Sequence, residues 1–404
     1  MTKPYTTFGK EHIEQGAITQ MDNVMSLDPV VKGALMPDAH QGYGMPIGGV
    51  CAVDNAVIPY AVGVDIGCRM HLSVIGLDGN DSFTNEAFRQ KLRNSLLSCT
   101  YFGGTSLPNK DKLSHPIFDD PRWEKLDKLG IKMFDGSSVK DRAILQLGTS
   151  GAGNHFVEWG TYDQPVDYDH PNELALLSHS GSRSLGFTVA NFFTKLAATI
   201  NPLPEPLNEL SWLSMDTEEG RDYWDLMNLC GEYSALNHEV IHHNVRMGLG
   251  SDAWMSKPIR VVSNHHNFAW LEEVDGKMLY VHRKGATPAG LHKTGIIPSS
   301  MATKAYIVVG NGNADSLNSA SHGSGRAMSR SKAIKTIKQE DINKMLRDNR
   351  VECLGGGVDE SPQAYKDINL VMDAQQDLVT VCASFQPRIV RMAGRMETDK
   401  FEGA

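Results

Sequence analysis

The sequence predicts an α+β fold, a single large domain in which mixed β-sheets are flanked by helices. Strand-like runs gather towards both ends of the 404 residues, while the two longest helical patterns lie together in the middle. Neither an internal repeat nor a linker-like stretch divides the chain. With 41% hydrophobic and 22% charged residues, a sizeable core can be buried and a mainly disordered chain is excluded.

Between Leu35 and Met70, turn clusters alternate with short β-branched runs. Val50–Val53, Ala56–Ile58 and Ala61–Val64 read as strands between glycine and asparagine breakers. From about residue 80 to 140 the composition shifts to Lys, Asp, Ser and Pro with weak periodicity, which suggests a surface insertion. Helical patterns cover Ser184–Ile200 and Arg221–Met247, parted by Pro202, Pro204 and Pro206, and imply a helical insertion over about 184–250. Strands return at Ile259–Ser263, Met278–Val281 and Ala305–Val309, and a basic helix is expected from about Met328 to Arg347.

The formal charge is −9, from 39 Lys and Arg against 48 Asp and Glu. Bulk charge therefore cannot hold this chain on nucleic acid, although a local basic groove can. Six scattered cysteines without CxxC pairing do not make a disulfide framework, and a reducing cytoplasm is expected. No run approaches the roughly 18 apolar residues of a membrane span, so no membrane association is expected.

Six clusters could carry chemistry: Pro37–His40, Asp65–Cys68, Gly153–Glu158, Ser178–Arg183, Asn264–Asn267 and Ser321–Arg326. Each brings a histidine or cysteine into a polar or glycine-rich turn, and most follow or interrupt a strand-like run. Asp, Cys and several His form the ligand set of a transition-metal site. Asp65 and Cys68 lie three apart, so one tight turn can aim both at one point. A bound cysteine would be a thiolate, able to bridge two ions. Ligand softness favours zinc, the carboxylate admits manganese, and spacing does not choose. The segment Gly323–Lys338 holds Arg326, Arg330, Lys332, Lys335 and Lys338 and no acidic residue, which suits phosphate. A smaller basic turn follows at His282–Gly285, and neither has the P-loop or Rossmann pattern.

Together these segments resemble the RtcB family of GTP- and manganese-dependent RNA ligases. The matching blocks are PDAHQGYGMPIGGV (37–50), VGVDIGC (62–68), QLGTSGAGNHFVE (146–158), SHSGSR (178–183), NHHN (264–267), HRKGAT (282–287), SASHGSGRAMSR (319–330) and DESPQAYKDI (359–368). The resemblance implies one ligase domain around a deep metal-lined cleft. It implies joining of RNA 2′,3′-cyclic phosphate or 3′-phosphate ends to 5′-hydroxyl ends, in RNA repair or tRNA splicing. His322 would be the nucleophile that takes GMP from GTP, oriented by Asp38. Two Mn²⁺ ions would be held by Asp65, Cys68, His155, His179 and His266, with Cys68 bridging. Asn154, His155, Glu158, Asn267, Ser300, His322, Gly323, Ser324 and Gly325 would contact the guanylate. Arg142, Arg183, Lys284, Arg326 and Arg330 would collect RNA phosphates.

The chain departs from the family pattern in places. Ser299-Ser300-Met301-Ala302-Thr303 stands where GSMGT is usual, Ala305 where a pocket serine is, and Ala393 where a lysine contacts the guanine. Arg69 replaces a common glycine. These changes bear on the choice of nucleotide more than on the chemistry. Two other readings fit metals beside basic turns: a dinuclear phosphoester hydrolase, and a non-catalytic RNA-end-binding protein. The hydrolase needs no covalent nucleotide on His322.

Overall fold

A seven-strand antiparallel path organises the molecule, in the order Thr294–Ile297, Ala305–Gly310, Val379–Met392, Phe156–Asp163, Glu173–Ser180, Arg69–Gly76 and Arg260–His265. The short strand Glu352–Leu354 pairs parallel to Val379–Met392 and completes this sheet. A second sheet runs Thr6–Thr7, Val30–His40, Ile47–Val53, Lys277–Lys284 and Asn267–Val274. The chain steps from one sheet to the other between His265 and Asn267. The computed structural model describes residues 2–76, 83–104, 114–164, 173–250 and 257–394. Among these residues, no helix is long and apolar enough to cross a membrane.

The helices cover the sheets because their apolar residues fall on one side. Arg183–Ile200 contributes Leu185, Val189, Phe193 and Ala197, and Glu218–Met247 contributes Tyr223, Leu226, Leu229 and Tyr233, to the largest core cluster. The stretch expected as a surface insertion packs inward over part of its length. Phe88, Leu92 and Leu96 of the helix Glu86–Cys99 meet Trp159 and Leu176 of the sheet, and Trp159 Nε1 donates to Ser95 Oγ at 3.0 Å.

Three local expectations are corrected. Ala61–Val64 belongs mainly to a helical turn, Pro59–Val62: Pro59 suits its first position, and Gly63 at φ 102 ends it. The expected basic helix is two, Arg330–Thr336 and Gln339–Asp348, because β-branched Thr336 and Ile337 give way to extended backbone. The strand Val30–His40 was hidden by Gly33 and Pro37. Its register with Ile47–Val53 shifts between Leu35 and His40, where a proline without an N–H can be accommodated.

One buried cation pins the second sheet. Arg283 is fully buried, and both its Nη atoms donate to Glu272 at 2.8 Å. Its Nε donates to Ser319 Oγ at 2.7 Å, Nη2 also donates to Leu317 O at 2.9 Å, and the guanidinium lies 4.7 Å from the Trp270 ring centroid. Removing one partner of such a pair strands a buried charge. Arg283→Ala should therefore lower the unfolding free energy by about 3–5 kcal/mol, measured by urea unfolding. A loss below 1 kcal/mol would show that Glu272 finds another partner.

Candidate active site

Antiparallel pairing brings the metal-ligand candidates to one edge of the large sheet. Cys68 stands just before Arg69–Gly76, His155 just before Phe156–Asp163, and His179 near the end of Glu173–Ser180. In register, His179 lies opposite both Met70 and Phe156, and Arg69 opposite His265. Residues that begin one strand and end the next therefore share an edge. His266 joins them at the step between sheets, where its N–H donates to Cys68 O at 3.0 Å.

Cys68 Sγ is 3.1 Å from His179 Nε2 and 3.6 Å from His155 Nε2. His179 Nε2 is 3.2 Å from His266 Nε2, and His155 Nε2 is 3.2 Å from Asp65 Oδ2. These atoms form two overlapping groups, Cys68–His179–His266 and Asp65–Cys68–His155, each compact enough to hold an ion. Two glycines permit the convergence. Gly67, at φ 76, turns the chain between Asp65 and Cys68, and a Cβ on Gly181 would stand 2.1 Å from Asp65 Oδ1.

Electrostatics keep donor lone pairs in place. His179 Nδ1 is 3.1 Å from Asn154 O, which fixes the N–H there and leaves Nε2 facing Cys68 and His266. Burial and the neighbouring charge of His155 push His179 down to about 3, and burial pushes His266 well below its usual range. His266 Nδ1 is buried without a hydrogen-bond partner among the described residues. Burial works against the charged form of His155 too, but Asp65 and Cys68 outweigh it and raise the group to about 9. Burial and Asp65 push the Cys68 thiol up to about 12. Facing imidazole lone pairs with a thiol and a carboxylate is a donor set suited to a divalent cation, which would take the place of a proton.

His322 follows the strand Ser319–Ser321 and meets Asp38 of Val30–His40. Asp38 Oδ2 accepts His322 Nδ1–H at 2.7 Å, His322 N–H at 3.1 Å and Gly323 N–H at 3.3 Å. The ring centroid of His322 is 5.2 Å from that of His266, so it faces the metal-ligand candidates. Gly285, at φ 61, lets the chain pass: its Cβ would lie 3.2 Å from His322 Cε1.

A cleft of about 620 Å³ joins these groups and is lined also by Asn154, Arg183, Asn267, Lys284, Ser299, Gly323, Ser324, Gly325, Arg326 and Arg330. Arg183 is held by Gly103 O at 2.9 Å and Thr149 Oγ1 at 3.2 Å. Arg330 pairs with Asp359 at 2.7 Å and with Glu360, and Arg326 donates to Asp359 O at 2.7 Å. Asn267 Oδ1 accepts Gly285 N–H at 2.8 Å. Burial pushes Lys284 down to about 7, and its Nζ donates to the carbonyls of Tyr43 and Tyr60.

Four expected residues stand outside the cleft lining: Asp38, behind His322, and Glu158, Ser300 and Arg142. Glu158 is buried in its strand, and burial holds its carboxyl well above the ordinary range. Ser300 is 2.7 Å from Thr303 Oγ1, and Arg142 pairs with Asp135 at 2.8 Å. Sequence reading assigned no role to Asp359, Glu360 and Lys366, which anchor the cleft. Lys366 Nζ donates to Ala39 O at 2.8 Å, behind Asp38. All three belong to the DESPQAYKDI block, so the resemblance of that block alone offered a signal.

Burial pushes the Asp38 carboxyl up, but the His322 hydrogen bond and charge, with Lys366 behind, bring it below the usual range. A lowered folded value stabilises the protein above the unfolded value of about 4 and is lost as pH falls through the folded one. Asp38→Asn should thus cost about 1–3 kcal/mol at pH 5, a gap from wild type that closes below pH about 4. Urea unfolding across pH 2–7 would show it, and a gap that persisted unchanged at pH 2 would contradict the assignment.

Comparison with known proteins places the chain in a family. The family model described as "tRNA-splicing ligase RtcB" matches residues 20–393. The chain is 34% identical over 390 residues to the RNA-splicing ligase RtcB of Escherichia coli K12, covering 91% of this chain and 92% of that protein. It is 31% identical over 440 residues to the tRNA-splicing ligase RtcB of Nanoarchaeum equitans, covering 93% and 91%. A homologue in Entamoeba histolytica is 28% identical over 421 residues, covering 89% and 80%. With the family model spanning nearly the whole chain, this protein belongs to the RtcB family of RNA-splicing ligases.

Proposed function

We propose that this chain is an RNA ligase of the cytoplasm that joins 2′,3′-cyclic phosphate or 3′-phosphate ends to 5′-hydroxyl ends, using GTP and two Mn²⁺ ions. The observation that carries this reading is the His322–Asp38 pair at 2.7 Å, facing a Cys–His–Asp donor set across one cleft. With the Nδ1 proton held by Asp38, Nε2 is left with the lone pair a nucleophile needs.

In the first step His322 Nε2 attacks the α-phosphorus of GTP. A P–N bond forms, the bond to the bridging oxygen breaks, and pyrophosphate leaves with the electron pair. Asp38 stabilises the positive charge on the substituted ring. A 2′,3′-cyclic end is first opened by water, whose oxygen bonds to phosphorus as the bond to the 2′-oxygen breaks, leaving a 2′-hydroxyl and a 3′-phosphate. An RNA 3′-phosphate oxygen then attacks the guanylate phosphorus, and the imidazole recovers its electron pair. Finally the 5′-hydroxyl oxygen attacks the RNA phosphorus, GMP departs and the hydroxyl proton is lost. Bound through Asp65, Cys68, His155, His179 and His266, two divalent cations would neutralise phosphate charge during these displacements. Arg183, Arg326 and Arg330 line the same cleft, where cationic side chains suit RNA phosphates. Lys284, whose Nζ is held by the carbonyls of Tyr43 and Tyr60, is assigned to RNA phosphate by family resemblance alone. Asn154, Asn267 and the Gly323–Gly325 backbone line it too and suit the guanylate. Glu158 and Ser300 are assigned to the guanylate and Arg142 to RNA by family resemblance alone.

Incubation with Mn²⁺ and labelled GTP should leave label on the denatured protein, and His322→Ala should abolish both label and sealing. The same variant should retain metal and still seal RNA bearing a preformed 3′-diphosphate–guanosine end. GTP-dependent sealing by His322→Ala would overturn the nucleophile assignment. ATP or CTP labelling at equal rates would overturn the choice of GTP.

Cys68 belongs to both ligand groups, so Cys68→Ala should lower metal content more than loss of any single histidine. Elemental analysis of purified variants measures this. Two tightly held ions in Cys68→Ala would remove the bridging role.

A further inference from the structure

Two aromatic rings at the mouth of the cleft have no part in the chemistry described so far. Tyr43 lies in the turn between Val30–His40 and Ile47–Val53, and its side of the cleft leaves it 54% exposed. Tyr60, in the turn Pro59–Val62, also lines the cleft, with its ring centroid 6.3 Å from that of Tyr43. Lys284 Nζ donates to the carbonyls of both tyrosines and lies 5.0 Å from the Tyr60 ring centroid. The backbones beneath the rings are thereby fixed. A Cβ on Gly44 would approach Tyr60 Cδ1 to 3.1 Å, so Tyr60 packs directly on that turn.

The same lysine ties this wall to the chemistry: its neighbour Gly285 abuts His322 Cε1, and Tyr43, Tyr60 and His322 line one cleft. Charge also distinguishes this part of the lining. Arg183, Arg326 and Arg330 are gathered on other elements, whereas Glu14 lines the cleft beside Gln41, whose N–H it accepts at 2.7 Å. Glu209 lies against the same Gly44 turn. A carboxylate-flanked wall repels phosphate, but it can receive the uncharged face of a base, and aromatic rings stack every base.

We propose that the exposed ring of Tyr43, backed by Tyr60 and Lys284, is a stacking subsite for one unpaired nucleobase near an RNA end being joined. This rests on the ligase reading. The stacked base belongs either to the 3′-phosphate strand or to the 5′-hydroxyl strand, and the two are tested separately.

The probes are two short RNAs carrying 2-aminopurine next to the reacting end, one ending in a 3′-phosphate and the other in a 5′-hydroxyl. With the full chain and Mn²⁺, one probe should lose fluorescence on binding, and the one that does identifies the strand. Tyr43→Ala and Tyr43→Leu should abolish that quenching and weaken binding about tenfold, the scale of one base–aromatic stack. Tyr43→Phe keeps the ring face and should bind within about twofold of wild type. In sealing assays Tyr43→Ala should raise the KM for that strand alone, and an abasic nucleotide at the probe position should erase the difference from wild type. Melting temperatures near wild type would exclude a folding defect. Equal quenching and affinity in Tyr43→Ala would overturn the subsite, as would a Tyr43→Phe defect as large as that of Tyr43→Ala. Wild-type protein that accepts no guanylate yet quenches a probe would overturn the ligase reading and leave the stacking standing.

Discussion

One buried carboxylate holds the His322 half of the cleft together. Asp38 sits in a strand of the second sheet, and His322 follows a strand of a separate two-stranded ribbon. Three donors from the His322 turn converge on the same oxygen, Oδ2, while Oδ1 is buried with no hydrogen-bond partner among the described residues. An acceptor so placed is costly to bury unless its charge is met, and Lys366 supplies a positive charge from behind. The glycines around it follow from that closeness. A Cβ on Gly325 would fall 2.1 Å from Asp38 O, so the turn after His322 cannot carry a side chain there.

The metal-ligand half depends on a different constraint, the register of antiparallel strands. A slip of one residue would turn His179 from the cleft to the opposite face of its sheet. The register is held by flanking apolar pairs, Leu72 against Leu177 and Trp159 against Leu176, all buried. Core packing several residues away thus decides whether four ligand atoms meet. Electrostatics then separates the histidines: His179 and His266 stay neutral because burial dominates, while His155 is charged because Asp65 and Cys68 are beside it. A cation binding among them would displace the proton shared with Asp65 and leave the neutral imidazoles as they are.

Much of the site was legible in the sequence, because its residues sit in short polar blocks that interrupt apolar strands. The ligand candidates converge, and His322 meets Asp38. What spacing could not convey was long-range pairing. Asp359 and Glu360 gain their meaning from Arg326 and Arg330, some 30 residues away, and Arg283 from Glu272 across a strand pair. The long helices were readable from apolar periodicity, whereas Val30–His40 was not, since a proline and a glycine inside a strand read as a turn. Ala61–Val64 failed in the opposite sense: a short apolar run does not distinguish strand from helical turn, and Pro59 decided it.

The acidic balance of the chain and its basic cleft are reconciled by anchoring. Arg330 and Arg326 are not free cations on a flexible surface. Each is tied to Asp359 or Glu360, and Arg326 also lies 5.2 Å from the Tyr365 ring centroid. The ties lower the net charge offered to a phosphate, which weakens non-specific attraction to any polyanion. They also fix the direction of the remaining N–H groups, so less side-chain entropy is lost when a phosphate arrives. A cleft built this way favours a chain end that reaches the donors over a duplex that merely approaches them. For chemistry confined to RNA termini, that preference is worth more than bulk positive charge.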